Sequence, residues 1–352
     1  MAKPTLLYID HIAHNASGSN LFLKEMLSRH FEVTSRWVNP WGNPRVITPD
    51  EINRYEYVLF FQRINQFSEL KQITAKIIWV AVYDSLNTDY FYWKALSTLP
   101  IKILSFNHKV NEKANRFGIE NAYFKYYPDP EELKDSSSQI EGKRILFWYR
   151  GTVTWEHVKS VLNPDEIESL TFRNAPDPGF NKEVVSESDI QKYKIRFDNR
   201  PFGDTNILRE MLREHTIFIQ PRQMEGIGQA YLEALASGHC VIANDDATMN
   251  EYIENGKNGI IVNYQHPKRI SLDHYKTLGD NALKSCIQGR KEWLASEDRL
   301  VGFVIKPTIK PHVNLLTKTI WHGIYALKHA LFEIKQSRIR ARMRAQKENA
   351  SV

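Results

Sequence analysis

The chain contains very little cysteine and no long apolar run. Only two cysteines, Cys240 and Cys286, occur among its 352 residues. So few cysteines argue against the disulfide framework of small secreted domains and indicate a reducing compartment. No apolar stretch approaches the roughly 20 residues that a membrane-spanning helix needs. These absences argue against a disulfide-stabilised secreted scaffold and against an integral membrane protein.

The N-terminus also lacks the features of a secretory signal. Its apolar segment, LLYI, is short, and the acidic residue Asp10 follows directly. A signal peptide needs a longer apolar core and a cleavage site with small residues. We therefore predict that this segment is the first strand of a sheet and that the protein is cytoplasmic.

The composition is that of a globular protein. Hydrophobic residues make up 42% of the chain and charged residues 25%, without a low-complexity tract or a short repeat. A chain of 352 residues can form two domains of ordinary size. The formal net charge of +6 is modest and is compatible with phosphate-bearing ligands or an anionic surface.

Short β-branched and aromatic runs alternate with helical patterns along the chain, which predicts parallel sheets covered by helices. The predicted strands are Thr5–Ile9, Phe31–Ser35, Tyr57–Gln62, Ile77–Val82, Ile101–Ser105, Arg144–Tyr149, His215–Gln220 and Cys240–Ala243. The stretch Glu131–Gly142 is polar and loses this periodicity, so we place a linker there. We predict two domains, 1–136 and 137–306, and a C-terminal helical segment, 307–352.

The segment Pro221–Val262 carries the most chemistry. Its helix, predicted over Gln229–Ser237, lies between two predicted strands, which is the order of a βαβ unit. The turn before this helix, Glu225–Gly228, reads EGIG. Glycine lets the backbone approach a ligand closely, and the unpaired N–H groups at a helix start attract phosphate.

Two glutamates in this segment suggest a sugar nucleotide. Glu225 lies on the turn, and Glu233 lies about two turns into the helix. A carboxylate repels phosphate but can bind the paired hydroxyls of a sugar or ribose ring. An ordinary structural explanation stands beside this one, because a glutamate near a helix start favours the helix dipole and Gly-x-Gly is common in loops.

The residues around these glutamates resemble a known family. The pattern consists of the Glu225-x7-Glu233 spacing, the EGIG turn, the following LEALASGHCVIA, and Glu251 with Gly256 and Gly259. It is similar to that of the retaining glycosyltransferases of the GT-B fold, in particular family four, the glycosyl transferases group 1. The resemblance implies an α/β protein with two doubly wound Rossmann-like domains facing each other across a cleft, and a C-terminal crossover helix.

The resemblance also implies roles for donor-side residues. Glu233 would hold the ribose hydroxyls, and Glu225 would hold the donor sugar. Arg150 follows a predicted strand at the point where the family has an arginine against the diphosphate, for which its planar fork is well suited. The family usually adds a lysine a few residues later, where this sequence has Trp155. The cations that remain as alternatives are Lys159, Arg196, Arg200 and Arg222.

Acceptor chemistry is expected on the first domain. In the resembled family a glycine-containing loop after the first strand faces the cleft; here it contains Gly18, with His14 upstream as a further candidate. Family members often carry a histidine followed by an acidic residue after the fourth strand, and this sequence has Tyr83 followed by Asp84. Asp84 can orient an acceptor hydroxyl or act as a base, or it can simply cap a helix.

These considerations give one set of predicted site residues. The catalytic residues are Glu225, Arg150 and Asp84. The donor-binding residues are Glu233, Gly226, Ile227, Gly228, Arg222 and Gly18. The resemblance implies no metal and no other cofactor, because cationic side chains and a helix N-terminus would stabilise the departing nucleoside diphosphate.

The C-terminal segment predicts one long helix with an apolar stripe and a basic end. The stripe consists of Val313, Leu316, Ile320, Ile324, Leu327, Leu331 and Ile334. We expect it to pack as core on the first domain. The basic residues are Lys335, Arg338, Arg340, Arg342, Arg344 and Lys347. They suit either solvent or an anionic membrane surface, whereas nucleic acid is not expected because no aromatic platform accompanies them.

Together these features predict a retaining hexosyltransferase. It would move a sugar from a UDP- or GDP-sugar to a glycan or lipid-linked acceptor, in bacterial surface polysaccharide synthesis at the inner face of the membrane. One alternative is another GT-B enzyme, such as an inverting transferase or a sugar-nucleotide epimerase. The other is a catalytically silent binding subunit, which the departures at Tyr83 and Trp155 keep open.

Overall fold

The computed structural model of the protein describes residues 2–39, 47–136, 140–200 and 205–349. In these ranges the chain forms two six-stranded sheets. Neighbouring strands are parallel throughout both sheets. Parallel strands need crossover connections, so helices cover the faces of each sheet. The expected α/β class is confirmed.

The first sheet has the strand order β2-β1-β3-β4-β5-β6. Its strands are β1 (Thr5–His11), β2 (Glu32–Val38), β3 (Tyr57–Phe61), β4 (Lys76–Ala81), β5 (Ile101–Ser105) and β6 (Glu120–Tyr123). Its helices are α1 (Ile12–Ser17), α2 (Leu21–Ser28), α3 (Pro49–Ile52), α4 (Phe67–Leu70), α5 (Tyr90–Leu96) and α6 (His108–Arg116). The strand order reverses between β1 and β3, and ligands of open α/β sheets bind at such a point.

The second sheet has the strand order β12-β11-β10-β7-β8-β9. Its strands are β7 (Arg144–Tyr149), β8 (Ser169–Asn174), β9 (Ile195–Asp198), β10 (Ile217–Ile219), β11 (Cys240–Asn244) and β12 (Ile260–Val262). Its helices are α7 (Trp155–Val161), α8 (Glu187–Lys192), α9 (Thr205–Arg213), α10 (Gln229–Ala236), α11 (Met249–Tyr252) and α12 (Tyr275–Ala295). Counted from β7, this is the nucleotide-binding Rossmann order, with its switch point between β7 and β10.

The strands named above are all present, with small shifts at their ends, whereas β8, β9 and β12 were not predicted. The resemblance also implied a last strand and turn of the first domain in Phe124–Pro130; the strand, β6, lies just before this range, at Glu120–Tyr123. The limits of the two predicted domains, at 136 and 306, stay a prediction.

Helix α13 (Glu297–Ile305) returns the chain from the second sheet to the first. The Lys102 ammonium on β5 donates to the carbonyl of Phe303 over 2.7 Å. Glu297 accepts from Arg29 at 2.6 Å and lies 2.7 Å from the Nε2 atom of His30, both at the end of α2. The chain thus crosses back to the first sheet near its C-terminus as predicted, and it does so already at α13, ahead of the predicted segment 307–352.

The last helix, α14 (Leu315–Asn349), lies against α5 through aromatic and polar side chains rather than through the predicted stripe. His322 lies 2.7 Å from the hydroxyl of Thr98, and the Tyr325 ring lies 5.5 Å from that of Tyr92. Leu316 is 71% exposed and Leu327 is 64% exposed. The expectation that the stripe forms core is wrong, because the aromatic face of the helix occupies that contact. The structure describes the backbone of α14 to Asn349 but not the basic side chains from Arg338 onward.

Candidate functional site

The EGIG turn brings the second domain into contact with the first. The turn lies between β10 and α10, and Ile227 within it is buried. A Cβ atom on Gly226 would lie 2.6 Å from the Cβ atom of Val82, which follows β4. Gly228 has φ +78°, and a Cβ atom there would meet the ring of Tyr231. Glycine at both positions therefore permits the close approach that the sequence suggested.

An ion pair crosses the cleft beside this turn. The Arg222 Nη1 atom donates to the Asp84 Oδ2 atom over 3.0 Å. Asp84 lies in a single 3-10 turn, Tyr83–Ser85, directly after β4. The N-cap of this turn is Val82 and that of α5 is Asp89, so Asp84 holds neither capping position, and the structure favours a role in the cleft.

Asp177 joins the two arginines that were predicted to bind the donor. Its Oδ1 atom accepts from Arg150 at 3.0 and 2.8 Å, and its Oδ2 atom accepts from Arg222 at 2.5 Å. The backbone N–H of Asp177 donates to the carbonyl of Arg150 over 3.2 Å, which fixes the loop after β8 against the end of β7. The two guanidinium groups thus bind one anionic group between them.

Among the four alternative cations, Arg222 lies beside Arg150, and its role as the second diphosphate cation stays a prediction. Of the four alternatives, Lys159 pairs with Glu156 and Asp189 on the helical side of the second sheet. Arg200 pairs with Asp198, and Arg196 is exposed on β9. Arg222 is the one of the four that shares a carboxylate with Arg150.

Trp155 is a core residue of the second domain. It begins α7, is 2% exposed, and donates from its indole N–H to Asp189 over 2.9 Å. Its ring meets that of Tyr193 edge to face at 5.0 Å. A cationic side chain at this position would be buried among aromatic rings, so the phosphate-binding cation has to come from elsewhere.

The buried Glu225 and the half-buried Asp84 both lie beside Arg222. Glu225 is 8% exposed, accepts from the side-chain amide of Gln220 at 3.1 Å, and lies 4.0 Å from the Arg222 Nε atom. Burial raises the pKa of Glu225, and the Arg222 charge opposes this shift. Burial also raises the pKa of Asp84, opposed by Arg222, Arg150 and His14. Carboxyl groups with raised pKa values in a cleft are typical of functional sites.

Glu233 lies on α10, on the same face as Gln229 one turn earlier. The Gln229 side-chain amide donates to the carbonyl of Ser19 in the first domain over 3.1 Å, so this face of the helix is directed toward the cleft. Burial raises the pKa of Glu233, and Arg209 opposes the shift. Among the described residues no hydrogen bond joins Glu233 to Glu225 or to either arginine, and its ribose role stays a prediction.

Gly18 shapes the first loop of the cleft. It ends α1 in the left-handed conformation, with φ +64°, and its N–H donates to the carbonyl of His14 over 2.9 Å. This turn leads directly to Ser19, which meets α10. The loop therefore faces the donor helix as expected, and a direct contact between Gly18 and the donor stays a prediction.

Further polar contacts hold the two halves of the cleft together. Glu251 of α11 accepts from the Tyr123 hydroxyl at 2.7 Å and from the backbone N–H of His108 at 2.9 Å. The Asn107 side-chain amide donates to the hydroxyl of Thr248 over 2.8 Å. Glu251 belongs to the family pattern, and in this structure it links the second domain to the first.

Sequence reasoning missed two aspartates of the cleft, Asp177 and Asp10. Asp177 follows β8, a strand that was not predicted. The sequence therefore did not indicate that Asp177 lies at the carboxyl edge of the second sheet. Asp10 lies within β1 and is 1% exposed, and its carboxylate is hydrogen-bonded to His14. The available signal was an acidic residue at the carboxyl end of a parallel strand.

In the described part of the chain, no cluster of three or more histidine, cysteine, aspartate or glutamate side chains is suited to a metal ion. Metal-independent catalysis stays a prediction. None of the helices within the described ranges combines the length and the apolar character that a membrane crossing requires.

The sequence matches a family over the segment that carries this site. Residues 182–291 match the family model described as Glycosyl transferases group 1. The matched range contains Arg222, Glu225 and Glu233, so the predicted resemblance is confirmed there, while the narrower assignment to family four stays a prediction.

A curated relative shares part of this sequence. The alpha-maltose-1-phosphate synthase of Mycolicibacterium smegmatis is 27% identical over 160 residues, which cover 42% of this chain and 41% of that protein. The match thus spans less than half of the relative's length, and what this chain does has to be argued from its own site.

Solved structures share the whole fold at low sequence identity. Sucrose-phosphate synthase from Thermosynechococcus elongatus has a TM-score of 0.57 at 11% identity, covering 85% of this chain and 98% of that one. A glycosyltransferase from Rickettsia africae has a TM-score of 0.56 at 12% identity, covering 87% and 100%. Anabaena HepE in complex with UDP and glucose has a TM-score of 0.54 at 11% identity, covering 85% and 98%. These likenesses confirm the GT-B arrangement of two Rossmann-like domains.

Proposed function

We propose that this protein is a retaining glycosyltransferase that moves a sugar from a UDP- or GDP-sugar to a glycan or lipid-linked acceptor. One observation carries the proposal: Arg150 and Arg222 converge on a single anionic group at the switch point of a Rossmann-ordered sheet. Two planar guanidinium forks around one position suit a diphosphate. The family match over the same segment supports sugar transfer as the chemistry.

The proposal assigns a role in sugar transfer to the charged groups of the cleft. Arg150 and Arg222 stabilise the negative charge that develops on the departing nucleoside diphosphate. Glu225, buried beside them, holds the donor sugar together with the backbone of the EGIG turn, and Glu233 holds the ribose hydroxyls. Asp84, on the opposite wall, faces the acceptor. The Asp177 carboxylate contacts both arginines at the position proposed for the diphosphate. Because the carboxylate and the diphosphate are both anionic and repel each other at such short distances, Asp177 has to move away from the arginines when the donor binds.

The proposal is tested by comparing nucleoside diphosphates with nucleosides. Calorimetry with UDP, GDP, dTDP and ADP should show binding of at least one, and Arg150→Ala and Arg222→Ala should each weaken it about tenfold or more. Neither change should affect binding of the nucleoside without phosphate. Lys159→Ala is the matched control, because Lys159 pairs with carboxylates outside the cleft. Equal affinity in all three variants would contradict the diphosphate site.

Product stereochemistry separates this proposal from the enzymatic alternatives. NMR of the product should show the anomeric configuration of the donor sugar. Inversion, or conversion of the donor sugar without transfer, would indicate an inverting transferase or an epimerase. Binding without release of nucleoside diphosphate would indicate a silent binding subunit. Activity should persist with a chelator present, since the proposed mechanism uses guanidinium groups instead of a metal.

We further propose that α14 contacts an anionic membrane surface, as a lipid-linked acceptor of surface polysaccharide synthesis would require. Leu327, Leu331 and Ile334 are exposed on this helix. The sequence that follows is strongly basic. An exposed apolar face next to basic residues is the pattern of helices that lie in the interface of anionic membranes.

The membrane proposal is tested with liposomes. Truncation after Ile334, and the double change Leu327→Glu with Leu331→Glu, should each reduce binding to vesicles containing anionic lipid. Val184→Glu is the control, because Val184 is 92% exposed on a different surface. The proposal also requires weaker binding at high salt and to neutral vesicles. Unchanged binding by both tail variants would exclude this helix as the contact.

A further inference from the structure

A polar cavity lies at the carboxyl ends of β11 and β12. Its volume is about 350 Å³, and sites for small ligands have volumes of about 300–1,000 Å³. None of its lining residues belongs to the predicted donor site. We call it the asparagine cup, after the polar residues Asp245, Asn250, Asn255 and Asn263 that line it together with the aliphatic Ile253 and Ile261.

Backbone hydrogen bonds fix the orientation of two amides in the asparagine cup. The Asn255 side-chain oxygen accepts from the backbone N–H of Ile261 at 2.9 Å, and the Asn263 side-chain oxygen accepts from that of Gln265 at 2.9 Å. An asparagine amide has one oxygen and one NH₂ group, so these bonds leave the NH₂ groups as the available donors. In the part of the chain that the structure describes, neither NH₂ group donates to another protein atom, so both can donate to a ligand.

Asp245 adds a hydrogen-bond acceptor to the asparagine cup. Its Oδ1 atom accepts from the Asn250 side-chain amide at 3.1 Å, and its backbone N–H donates to the carbonyl of Val262 over 2.7 Å. These bonds hold Asp245 at the end of β12. A carboxylate can accept several hydrogen bonds, so Asp245 can also accept one from a ligand.

Two amide donors, one carboxylate acceptor and two aliphatic side chains together suit a sugar ring. Each sugar hydroxyl can donate and accept a hydrogen bond, and aliphatic side chains can cover the carbon–hydrogen face of the ring. An anionic ligand would be repelled by Asp245 and by its neighbour Asp246. Among the described residues that line the asparagine cup, none is cationic. The lining therefore favours a neutral sugar unit over a phosphate-bearing ligand.

The asparagine cup is attached to the segment that carries the donor site. Asn244 directly precedes Asp245, and its side-chain amide donates to the carbonyl of Gln223 over 3.0 Å. Gln223 is adjacent in the chain to Arg222, one of the two proposed diphosphate cations. A ligand in the asparagine cup would thus lie in the same domain as the donor, beside the donor segment.

The same part of the second domain also meets the first domain. Burial raises the pKa of the Tyr83 hydroxyl, and the nearby Asp246 carboxylate raises it further. Tyr83 precedes Asp84, which is proposed to face the acceptor. On α11, Glu251 accepts from the Tyr123 hydroxyl of the first domain at 2.7 Å. The asparagine cup therefore begins where the two domains meet, next to the proposed acceptor side of the cleft.

We propose that the asparagine cup binds the acceptor sugar unit next to the unit that carries the reacting hydroxyl, so that the preferred acceptor is a disaccharide or a longer glycan. This inference deepens the proposed glycosyltransferase function and rests on it. The amides of Asn255 and Asn263 donate to hydroxyls of the bound unit, and Asp245 accepts from another. The asparagine cup takes no part in bond making; it orients the acceptor.

Two isosteric variants test the inference. Asn255→Asp and Asn263→Asp each keep an oxygen for the backbone N–H group and replace the NH₂ group with a second oxygen. The KM for disaccharide acceptors should therefore rise about fivefold to tenfold in each variant. Asn314→Asp is the matched control, because the Asn314 side-chain oxygen also accepts from a backbone N–H, that of Thr317 at 2.8 Å, but lies just ahead of α14.

The experiment measures sugar transfer from UDP-, GDP-, dTDP- and ADP-glucose and the corresponding mannose and galactose donors. The acceptors are the methyl glycosides of glucose, galactose and mannose and the disaccharides of the same sugars. The wild type should have a lower KM for at least one disaccharide than for its methyl glycoside, and both variants should lose this preference. Donor affinity should stay within about threefold of the wild type, because the variants change no donor contact.

Direct binding gives a second measurement. Saturation-transfer NMR with the preferred disaccharide should show contact at both rings in the wild type. In the two variants the signal of the ring that does not react should weaken relative to that of the reacting ring. The Asn314→Asp protein should give the pattern of the wild type.

The outcomes distinguish this inference from the function on which it rests. If the wild type transfers no sugar from any donor, the proposed function fails, and this inference fails with it. If the wild type is active and both variants keep its KM for every disaccharide, the inference alone is overturned. An equal rise of KM for methyl glycosides and disaccharides would also overturn it, because the variants would then act through the loop rather than through a second sugar site.

Discussion

The two walls of the cleft are built in different ways. The donor wall comes largely from one continuous segment, in which Arg222, Glu225 and Glu233 lie within twelve residues. The acceptor wall is assembled from the ends of separate strands, with His14 after β1 and Asp84 after β4. When one turn and one helix supply the residues of a ligand site, these residues form a recognisable pattern in the sequence. When a site is assembled from the ends of several strands, its residues are far apart in the sequence and form no such pattern.

The walls also differ in charge. The donor wall carries two arginines, and Asp177 pairs with both in this structure. The acceptor wall has the carboxylates of Asp10 and Asp84 and the imidazole of His14. Cations on one wall and hydrogen-bond acceptors on the other suit a cleft in which the first wall binds a nucleoside diphosphate and the second binds a hydroxyl-bearing acceptor. Four predictions would break or sharpen this comparison.

The largest effect is expected at the ribose position of the donor wall. Glu233→Ala should weaken donor affinity about 100-fold, because hydrogen bonds to a charged group are worth about 1.5–3 kcal/mol each. Glu233→Gln should lose less, because the amide can still accept a hydrogen bond. Calorimetry with the preferred sugar nucleotide measures both. If the donor affinity of Glu233→Ala is unchanged, Glu233 does not bind the ribose, and donor binding by this wall would depend on its arginines.

The contact between the walls is tested at Gly226. A methyl group there would lie 2.6 Å from the Cβ atom of Val82, so Gly226→Ala should reduce the free energy of unfolding by about 1–3 kcal/mol. Urea denaturation measures the change, and adding Val82→Gly, which removes the contacted Cβ atom, should recover part of it. Gly302→Ala is the control, because a Cβ atom on that helical glycine meets nothing within 4 Å. If Gly226→Ala is as well tolerated as Gly302→Ala, the walls do not meet at this turn.

The charge of the donor wall is tested at Asp177. Asp177→Asn removes the anionic group that competes with the diphosphate, so we expect nucleoside diphosphate to bind about tenfold more tightly. Asp189→Asn is the matched control: its side chain is 17% exposed, against 19% for Asp177, and it also pairs with a cation. Weaker binding by Asp177→Asn, restored by Mg²⁺, would instead show that Asp177 takes part in donor binding through a metal.

The smallest effect is expected where the C-terminal crossover is attached to the first domain. Hydrogen bonds from Arg29, and to a smaller extent from His30, lower the pKa of Glu297 to about 2. Since the pKa is lower in the folded state, this pair stabilises the fold above a pH of about 4.5, and the contribution is lost as the pH falls toward 2.

Glu297→Gln should therefore cost about 1 kcal/mol or less near neutral pH, as expected for a partly exposed pair, and almost nothing near pH 2. Urea unfolding at several pH values measures the difference between the two proteins. Donor affinity at neutral pH should be unchanged, because the pair lies outside the cleft. A difference that does not depend on pH would show that Glu297 acts through packing rather than through its charge.

The local structure around Glu225 and Glu233 was largely predictable from the sequence, while the donor-binding roles of these residues stay predictions. The EGIG turn needs glycine for its backbone conformation and close approach, and the spacing of Glu225 and Glu233 is fixed by the helix that joins them. Such local requirements are visible in a linear pattern. The choice of Arg222 over Lys159, Arg196 and Arg200 as the second cation was not predictable, because it depends on which side chain reaches the loop after β8.

The acceptor wall and the C-terminal helix were less predictable. His14 was a weak candidate until its contact with buried Asp10 was known, since an isolated histidine in a loop has no sequence signal of its own. On α14 the sequence indicated an apolar stripe, but periodicity does not say which face finds a partner. The neighbouring helices α4 and α5 offer the aromatic rings of Phe67 and Tyr92, and His322 and Tyr325 pack there instead of the stripe.

The sequence alone determined the alternation of strands and helices, the GT-B arrangement by resemblance, and the glutamates and turn of the donor wall. These follow from side-chain periodicity and from backbone conformations that neighbouring residues impose. The tertiary structure alone decided that Asp177 lies between Arg150 and Arg222, that Asp84 pairs across the cleft, and that Asp10 orients His14. Such pairings join residues far apart in the chain, and only the order in which the strands assemble brings them within hydrogen-bonding distance.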